Sequence, residues 1–382
     1  MNGCEGKDMD EQALTMFAVG DLSLGVPDAQ SLFELAAPTL RRAEIVVGQV
    51  EHVFTARPIT TRIDTTAPPA DPKNMSALPF AGINVATVAS NHVWDSGPPG
   101  IEDTLAGLAA YGIVTVGAGM NIDEARRPAI VERSGIRFGF LDYNCVGPKE
   151  TWAGQGKAGC AYVYIITYYE LDNPSPGGPP TIYTFAEPKS LEAMLDDIGK
   201  LRPLCDVLTV SFHKGIGHTP IKIARYEQDI SHLAIDAGAD LILAHHAHIL
   251  KGIEVYHGKT IFHGLGNFVT AVRHLTPDPA KGAGQWANRR RELFGFEPDP
   301  EYPTYPFHPE AKNTIIAKCT IKAGKISRVA YLPCVVNKLA QPEIVRCDER
   351  GQQVFDYVEK ITKGAGLNAR FEWEGDEVLI RE

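Results

Sequence analysis

The sequence predicts an α/β fold, and three observations lead there. Short apolar runs rich in Val, Ile and Leu alternate with segments of helical spacing. Several of these runs end on a carboxylate, an amide or an imidazole, and the C-terminal ends of parallel strands are where such folds place chemistry. At 382 residues, 44% hydrophobic and 22% charged, the chain has the composition of a soluble globular enzyme with core enough for one large domain or two.

Taken in order, residues 14–22 (LTMFAVGDL) read as a strand ending at Gly20-Asp21, followed by a helical segment to about Arg42. Residues 43–51 repeat the arrangement, and a β-branched run delivers Glu51. Residues 55–78, with several Pro, Thr and Asp, read as a loop bordering a site. A third strand within 82–92 ends on Asn91 and His92. Asp95, Gly97 and Gly100 then turn the chain into a helix over 101–111, and 114–119 is a fourth strand. Residues 130–140 pattern as a hairpin, the mark of an added antiparallel edge or second sheet. Residues 147–189, rich in Gly, Pro and Tyr, resist assignment.

A helix over 190–200 leads into a strand at 206–213 that ends on His213, and a helix near 221–237 connects it to the apolar run 241–243. The loop after that run opens with His245, His246 and His248. Gly258-Lys259 reads as a hairpin turn, and Gly264-Leu265-Gly266-Asn267-Phe268 follows its second strand, with glycines that permit close backbone approach. Residues 275–312, containing Trp286 and Arg289-Arg290-Arg291, read as an insertion able to serve as a lid. Strands near 314–320 and 326–332, a helix near 351–363 and a terminal hairpin complete the chain. The expected organisation is a domain over 12–345 with the 275–312 insertion, and a C-terminal extension over 346–382.

Net charge is −10 with histidine neutral, which disfavours nucleic acid and anionic membrane as partners. The first residues carry acids where a signal peptide needs positive charge, and no run of 18 apolar residues occurs, so the expectation is a soluble, cytoplasmic protein with no membrane segment. Seven scattered cysteines, odd in number and never spaced CxxC, fit reduced thiols.

The strand-end residues are Asp21, Glu51, Asn91, His92, His213, His246 and His248. One histidine alone is more often a packed core residue than a ligand; three within four positions, with distant carboxylate and amide partners, make a ligand set. Two carboxylates, an amide oxygen and three imidazoles suit a pair of divalent cations with one carboxylate bridging. Two such ions can hold a hydroxide and stabilise developing charge, so the implied chemistry is hydrolysis.

The runs GDLSLG, GQVEH, ASNHVWDSGPPGIEDTLAGLAAYGIVTVGAG, VSFHKG and ADLILAHHAHILKGIEVYHGKTIFHGLGNF together resemble the CapA-type poly-gamma-glutamate capsule biosynthesis family of the metallophosphatase-like superfamily. The likeness spans roughly residues 15–340. It implies a metallophosphatase-like four-layer α/β/β/α sandwich with a dinuclear centre, the metals being Mn, Zn or Fe. By this resemblance Asp21 is a ligand, Glu51 the bridging carboxylate, and Asn91, His213, His246 and His248 the remaining ligands. His92 takes the place of the acid or substrate-polarising residue. His245 and Asp95 are expected around the site, binding substrate or supporting the ligands, and Asn267 and Glu254 either support the ligands or are structural.

Departures fall after His213, where relatives often have an aromatic residue and then an acid; this chain has Lys214 and His218, the former either facing the crevice to receive an anionic substrate or pointing to solvent. Many relatives are also membrane-anchored or exported. The reading is a metal-dependent hydrolase of a small, anionic substrate, the bond (phosphoester, amide, lactone or ether) left open. The alternative is a noncatalytic accessory of poly-gamma-glutamate synthesis or export. Oligomeric state is not legible.

Overall fold

The computed structural model describes residues 13–61, 67–171, 177–272, 275 and 291–382. The elements run β1 (Leu14–Leu24), α1 (Ala37–Leu40), β2 (Ile45–Val50), α2 (Ala77–Ala81), β3 (Val85–Thr87), α3 (Gly97–Ala110), β4 (Val114–Val116), β5 (Ala118–Gly119), α4 (Ile122–Ala125), β6 (Ala129–Arg133) and β7 (Ile136–Asn144). Then follow β8 (Gly159–Cys160), β9 (Ile165–Glu170), β10 (Thr181–Ala186), α5 (Pro188–Leu201), β11 (Val207–Lys214), α6 (Arg225–Asp236) and β12 (Leu241–His246). The chain closes with β13 (Ile253–Tyr256), β14 (Lys259–Phe262), β15 (Asn267–Ala271), β16 (Asn313–Lys322), β17 (Lys325–Val336), β18 (Pro342–Ile344), α7 (Glu349–Gly364), β19 (Arg370–Glu374) and β20 (Glu377–Arg381).

Two sheets carry the architecture. The first has the order β19-β20-β17-β16-β1-β2-β3-β4, with β15 also on β1 and β18 on β17; the second has the order β13-β14-β12-β11-β7-β6. β1 to β4 pair in parallel, as do β7, β11, β12 and β14, so each sheet gathers its strand ends on one side.

Period-2 alternation makes the layers. In β1 and β2, Met16, Ala18, Ile45 and Val47 face Phe138, Phe140, Val207, Leu241 and Leu243 of the other sheet. The alternate residues Phe17, Val19 and Val46 pack under Leu40 and Leu78 of α1 and α2. On the far side of the second sheet, Leu208, Val210 and Ile242 pack against Met194 and Ile198 of α5 and Ile230 of α6. Strands that bury both faces need cover on both, and the result is the four-layer α/β/β/α order expected. α5 illustrates the local logic: Glu187 accepts from Ser190 N at 2.8 Å as its cap, Pro188 opens the helix, and Met194, Ile198 and Leu201 form its buried stripe.

Where the expected elements differ, local chemistry explains it. The helix expected up to Arg42 is reduced to short turns at Ser31–Phe33 and Ala37–Leu40, because Pro38 cannot sit inside a continuous helix. The strand over 114–119 divides at Gly117, whose φ of +104° turns β5 out of the sheet to pair with β8. The third strand is only Val85–Thr87, so Asn91 and His92 sit in the loop beyond it. β20 pairs with β17, and Val354, Val358 and Ile361 of α7 enter the core between the sheets, so residues 349–381 extend the first sheet. Within the 275–312 insertion, Trp286, Arg289 and Arg290 lie outside the described residues, as does Cys4. The six described cysteines are free. No helix among the described residues is long and apolar enough to cross a membrane.

Candidate metal centre

β1 brings Asp21 to the junction of the sheets through a close backbone approach. A Cβ at Gly20 would come within 2.0 Å of Gly266 O, so only glycine lets Asp21 N donate to that oxygen at 2.8 Å and places Asp21 opposite Asn267 of β15. Glu51 follows β2 directly, its N–H bonded to Leu22 O. Both carboxylates are buried.

Two groups of donor atoms converge here. In the first, His248 Nδ1 lies 3.3 Å from Asp21 Oδ2 and His248 Nε2 lies 3.5 Å from Glu51 Oε1, and one ligand atom from each of these three residues falls within 4.8 Å of the others. In the second, Asn91 Oδ1 is 2.7 Å from His213 Nε2 and 3.1 Å from His246 Nδ1, and the two imidazole nitrogens are 3.2 Å apart. Glu51 stands between the groups, with His213 Nε2 3.9 Å from its Oε1. His246 and His248 have φ of +88° and +55°, a region that non-glycine residues occupy at a cost.

The set fits a cation. Asp21 Oδ1 and Glu51 Oε1 are buried and accept no hydrogen bond among the described residues, an arrangement that costs free energy unless positive charge meets it. Burial pushes the Asp21 carboxyl up, but His245 and His248 outweigh it and hold the group below the ordinary carboxylate range. Glu51 is raised, chiefly by burial. Burial lowers His248, yet Glu51 and Asp21 raise it to about 9; burial and the neighbouring His248 lower His246 to about 3.

Around the donors, Asn267 Oδ1 meets His248 Nδ1 at 3.0 Å, and Ser23 Oγ donates to Glu51 Oε2 at 3.3 Å. His92 joins neither group: its Nδ1 is 2.6 Å from Asp95 Oδ2, which also accepts from Ala67 N at 2.7 Å. Burial lowers His92, but Asp95 raises it further, leaving it above the ordinary value. His245 is buried with Nδ1 3.4 Å from Asp21 Oδ1. His218 lies 5.8 Å from His248 ring to ring, walled by Phe294 and Phe296 at 5.0 and 4.9 Å, and Phe307 contacts His248 at 5.2 Å. Residues 294–307 of the insertion therefore form an aromatic wall beside the donors.

Lys214 is corrected, and Glu254 falls to the structural one of its two expected roles. Lys214 faces neither crevice nor solvent. β11 runs one residue past His213, so Lys214 takes the opposite face, where its Nζ donates to Glu227 O and Ser231 Oγ of α6 and burial lowers it to about 8. Glu254 sits away from the donors, accepting from His263 and His232 Nε2 at 2.8 Å each. Lys214→Met is expected to leave metal content and KM for an anionic substrate unchanged; steady-state kinetics showing a raised KM would return Lys214 to the crevice.

Ser23, Asp142 and the phenylalanine wall escape the sequence reading. Asp142 accepts from Ala89 N at 2.8 Å and so pins the loop that carries Asn91, while burial drives its carboxyl well above the ordinary range. Ser23 lay within the GDLSLG run, but Asp142 and the wall carry no local signal, because their partners are distant in sequence.

A family model described as bacterial capsule synthesis protein PGA_cap matches residues 15–272. The PGA biosynthesis protein CapA of Bacillus subtilis (strain 168) is 27% identical over 273 residues, 69% of this chain and 65% of the relative. A protein of Mycobacterium tuberculosis (strain ATCC 25618 / H37Rv), named a probable polyglutamine synthesis accessory protein, is 32% identical over 227 residues, 58% of this chain and 52% of the relative. The chain thus spans about half to two thirds of these relatives' length. Among solved structures, the calcineurin-like phosphoesterase YfkN from Bacillus subtilis aligns with a TM-score of 0.41 at 12% identity, covering 92% of this chain and 98% of that one.

Proposed function

The chain belongs to the bacterial capsule synthesis protein family PGA_cap, and from that premise we propose that it is a metal-dependent hydrolase with a dinuclear centre acting on a small anionic substrate. The observation that supports this is the convergence of two donor groups on one buried carboxylate, Glu51 Oε1, 3.5 Å from His248 Nε2 and 3.9 Å from His213 Nε2. Asp21, Glu51 and His248 would hold one ion; Asn91, His213 and His246 the other, with Glu51 shared. When bound, such ions supply an activated water and positive charge for the developing oxyanion.

The chain's own residues do the rest. Asn267 fixes the His248 ring through Nδ1, which leaves Nε2 as its ligand nitrogen toward Glu51. Asp95 at His92 Nδ1 favours the protonated imidazole, whose Nε2–H would then be placed to protonate a leaving group. Phe307 packs on His248 and covers one side of that donor, and Phe296 backs His218 beside it.

The accessory reading has its own support in the relative named for polyglutamine synthesis. A turnover screen separates the two: chain reconstituted with Mn, Zn or Fe is assayed on phosphomonoesters, phosphodiesters, gamma-glutamyl amides and esters. Metal-dependent turnover of one class, removed by chelator, is the expected result. A metal-loaded chain inert on all of them favours the accessory role.

Metal uptake should also depend on pH. With His248 raised to about 9, the metal-free chain carries a proton there at neutral pH, and a cation must displace it. Affinity should therefore fall as pH drops below about 9, by up to roughly tenfold per unit for one proton released. Calorimetry in two buffers of different ionisation enthalpy reads the released proton; identical heats and a flat affinity from pH 6 to 8.5 would contradict it.

A further inference from the structure

We propose that Gln49 and Asp142 are positioning residues that clamp Ala89 from opposite sheets and so hold Asn91 at the ion it would share with His213 and His246, an inference that rests on the dinuclear centre proposed for those donors. Asn91 needs outside support because it stands on no strand: β3 ends at Thr87, four residues earlier. Its donor group also straddles the sheets, with Asn91 arriving from the first and His213 and His246 from β11 and β12 of the second. The 2.7 and 3.1 Å approaches of Asn91 Oδ1 to the two imidazoles therefore depend on how the loop after β3 is fixed against the other sheet.

The fixing falls on Ala89. Its N–H donates to Asp142 Oδ2 of β7 at 2.8 Å, and its carbonyl accepts from Gln49 Nε2 of β2 at 3.3 Å. Thr87 orients the glutamine: its Oγ1 donates to Gln49 Oε1 at 2.7 Å, which turns the amide NH2 toward Ala89. Strand periodicity puts Gln49 in line with Ile45 and Val47, and Asp142 in line with Phe138 and Phe140, so both side chains enter the space between the sheets. Each lies one level below the donors, since Gln49 precedes Glu51 by two residues and Asp142 sits opposite Ser211, two before His213.

Gln49, Thr87, Ala89 and Asp142 are all buried. Polar groups placed between two apolar layers cost free energy unless bonded, and these bonds join the loop to both sheets. Glycines make the approach possible. A Cβ at Gly117 would come within 2.4 Å of Asp142 Oδ2, and one at Gly147, just beyond β7, within 2.5 Å of Asn91 Cβ. Because burial raises the Asp142 carboxyl well above the ordinary range, the neutral amide of asparagine is a close substitute for it.

Zinc titration calorimetry on the native chain, Asp142→Ala, Asp142→Asn and Gln49→Met tests this, together with amide hydrogen exchange over residues 88–92 in the metal-free state. The native chain should bind two ions. Asp142→Ala and Gln49→Met should weaken one of the two by about 10- to 100-fold, the usual effect of removing a group that supports a ligand, and speed exchange at 88–92. Asp142→Asn keeps an acceptor for Ala89 N and should bind as the native chain does. General loosening of the fold would instead weaken both ions together and would not be reversed by asparagine. With the native count at two, unchanged binding in Asp142→Ala, equal weakening of both ions, or Asp142→Asn as poor as Asp142→Ala would overturn the proposal. If Asp142→Ala does not fold, native binding of both ions by Gln49→Met overturns it. A native chain that binds one ion or none defeats the dinuclear centre itself, and the clamp's role falls with it.

Discussion

Glu51→Gln is expected to strip the chain of both cations and, with them, its turnover. Glu51 is 3% exposed, and its Oε1 accepts no hydrogen bond among the described residues while standing between His248 and His213. Glutamine keeps the shape and leaves Oε2's place beside Ser23 able to hydrogen-bond, so the fold should persist. What disappears is the charge shared by the two donor groups. Losing an outer-shell partner already costs about 10–100-fold in metal affinity, and loss of a bridging ligand should exceed that, on the order of 10²-fold or more for each ion. Elemental analysis after dialysis against limiting metal reads the effect directly. A Glu51→Gln chain that retains its full metal content would remove Glu51 from the ligand set.

His92→Ala should do the reverse, keeping metal and losing rate. Its Nδ1 is engaged by Asp95 at 2.6 Å, and neither donor group includes it. Removing a positioned proton donor should lower turnover about 10²- to 10⁴-fold, whereas His246→Ala should lose metal as well. The pH profile carries the sign. His92 is raised above its ordinary value by Asp95 against the opposing effect of burial, so the protonated form is present below its pKa and lost as pH climbs through it. Turnover should therefore decline on the alkaline side in the native chain, and that limb should vanish in His92→Ala. Equal metal loss in His92→Ala and His246→Ala would move His92 among the ligands.

Much of the fold is legible because strands buried on both faces announce themselves as apolar runs, and a polar residue closing such a run marks where it emerges. Glu51 and His246 reach the junction of the sheets this way, whereas β1 runs three residues past Asp21, where its end was expected, and β11 one past His213. Lys214 misled because its place depends on strand length: one more residue of β11 turns it toward α6 instead of the crevice. The helix expected before Arg42 failed on Pro38, a local signal outweighed by the apolar spacing around it. Asn91 depends on something no local pattern contains. Its loop is pinned by Asp142, 53 positions from Ala89, and the wall beside His248 comes from Phe294, Phe296 and Phe307, joined to the site only by tertiary packing.

If these donors hold a pair of ions, the count of metal per chain shows it. The chain is reconstituted separately with Mn, Zn and Fe, desalted, and assayed by elemental analysis against protein concentration. Close to two divalent ions per chain are expected with at least one of these metals; a ratio near one or zero with all three would mean that the donors hold no pair.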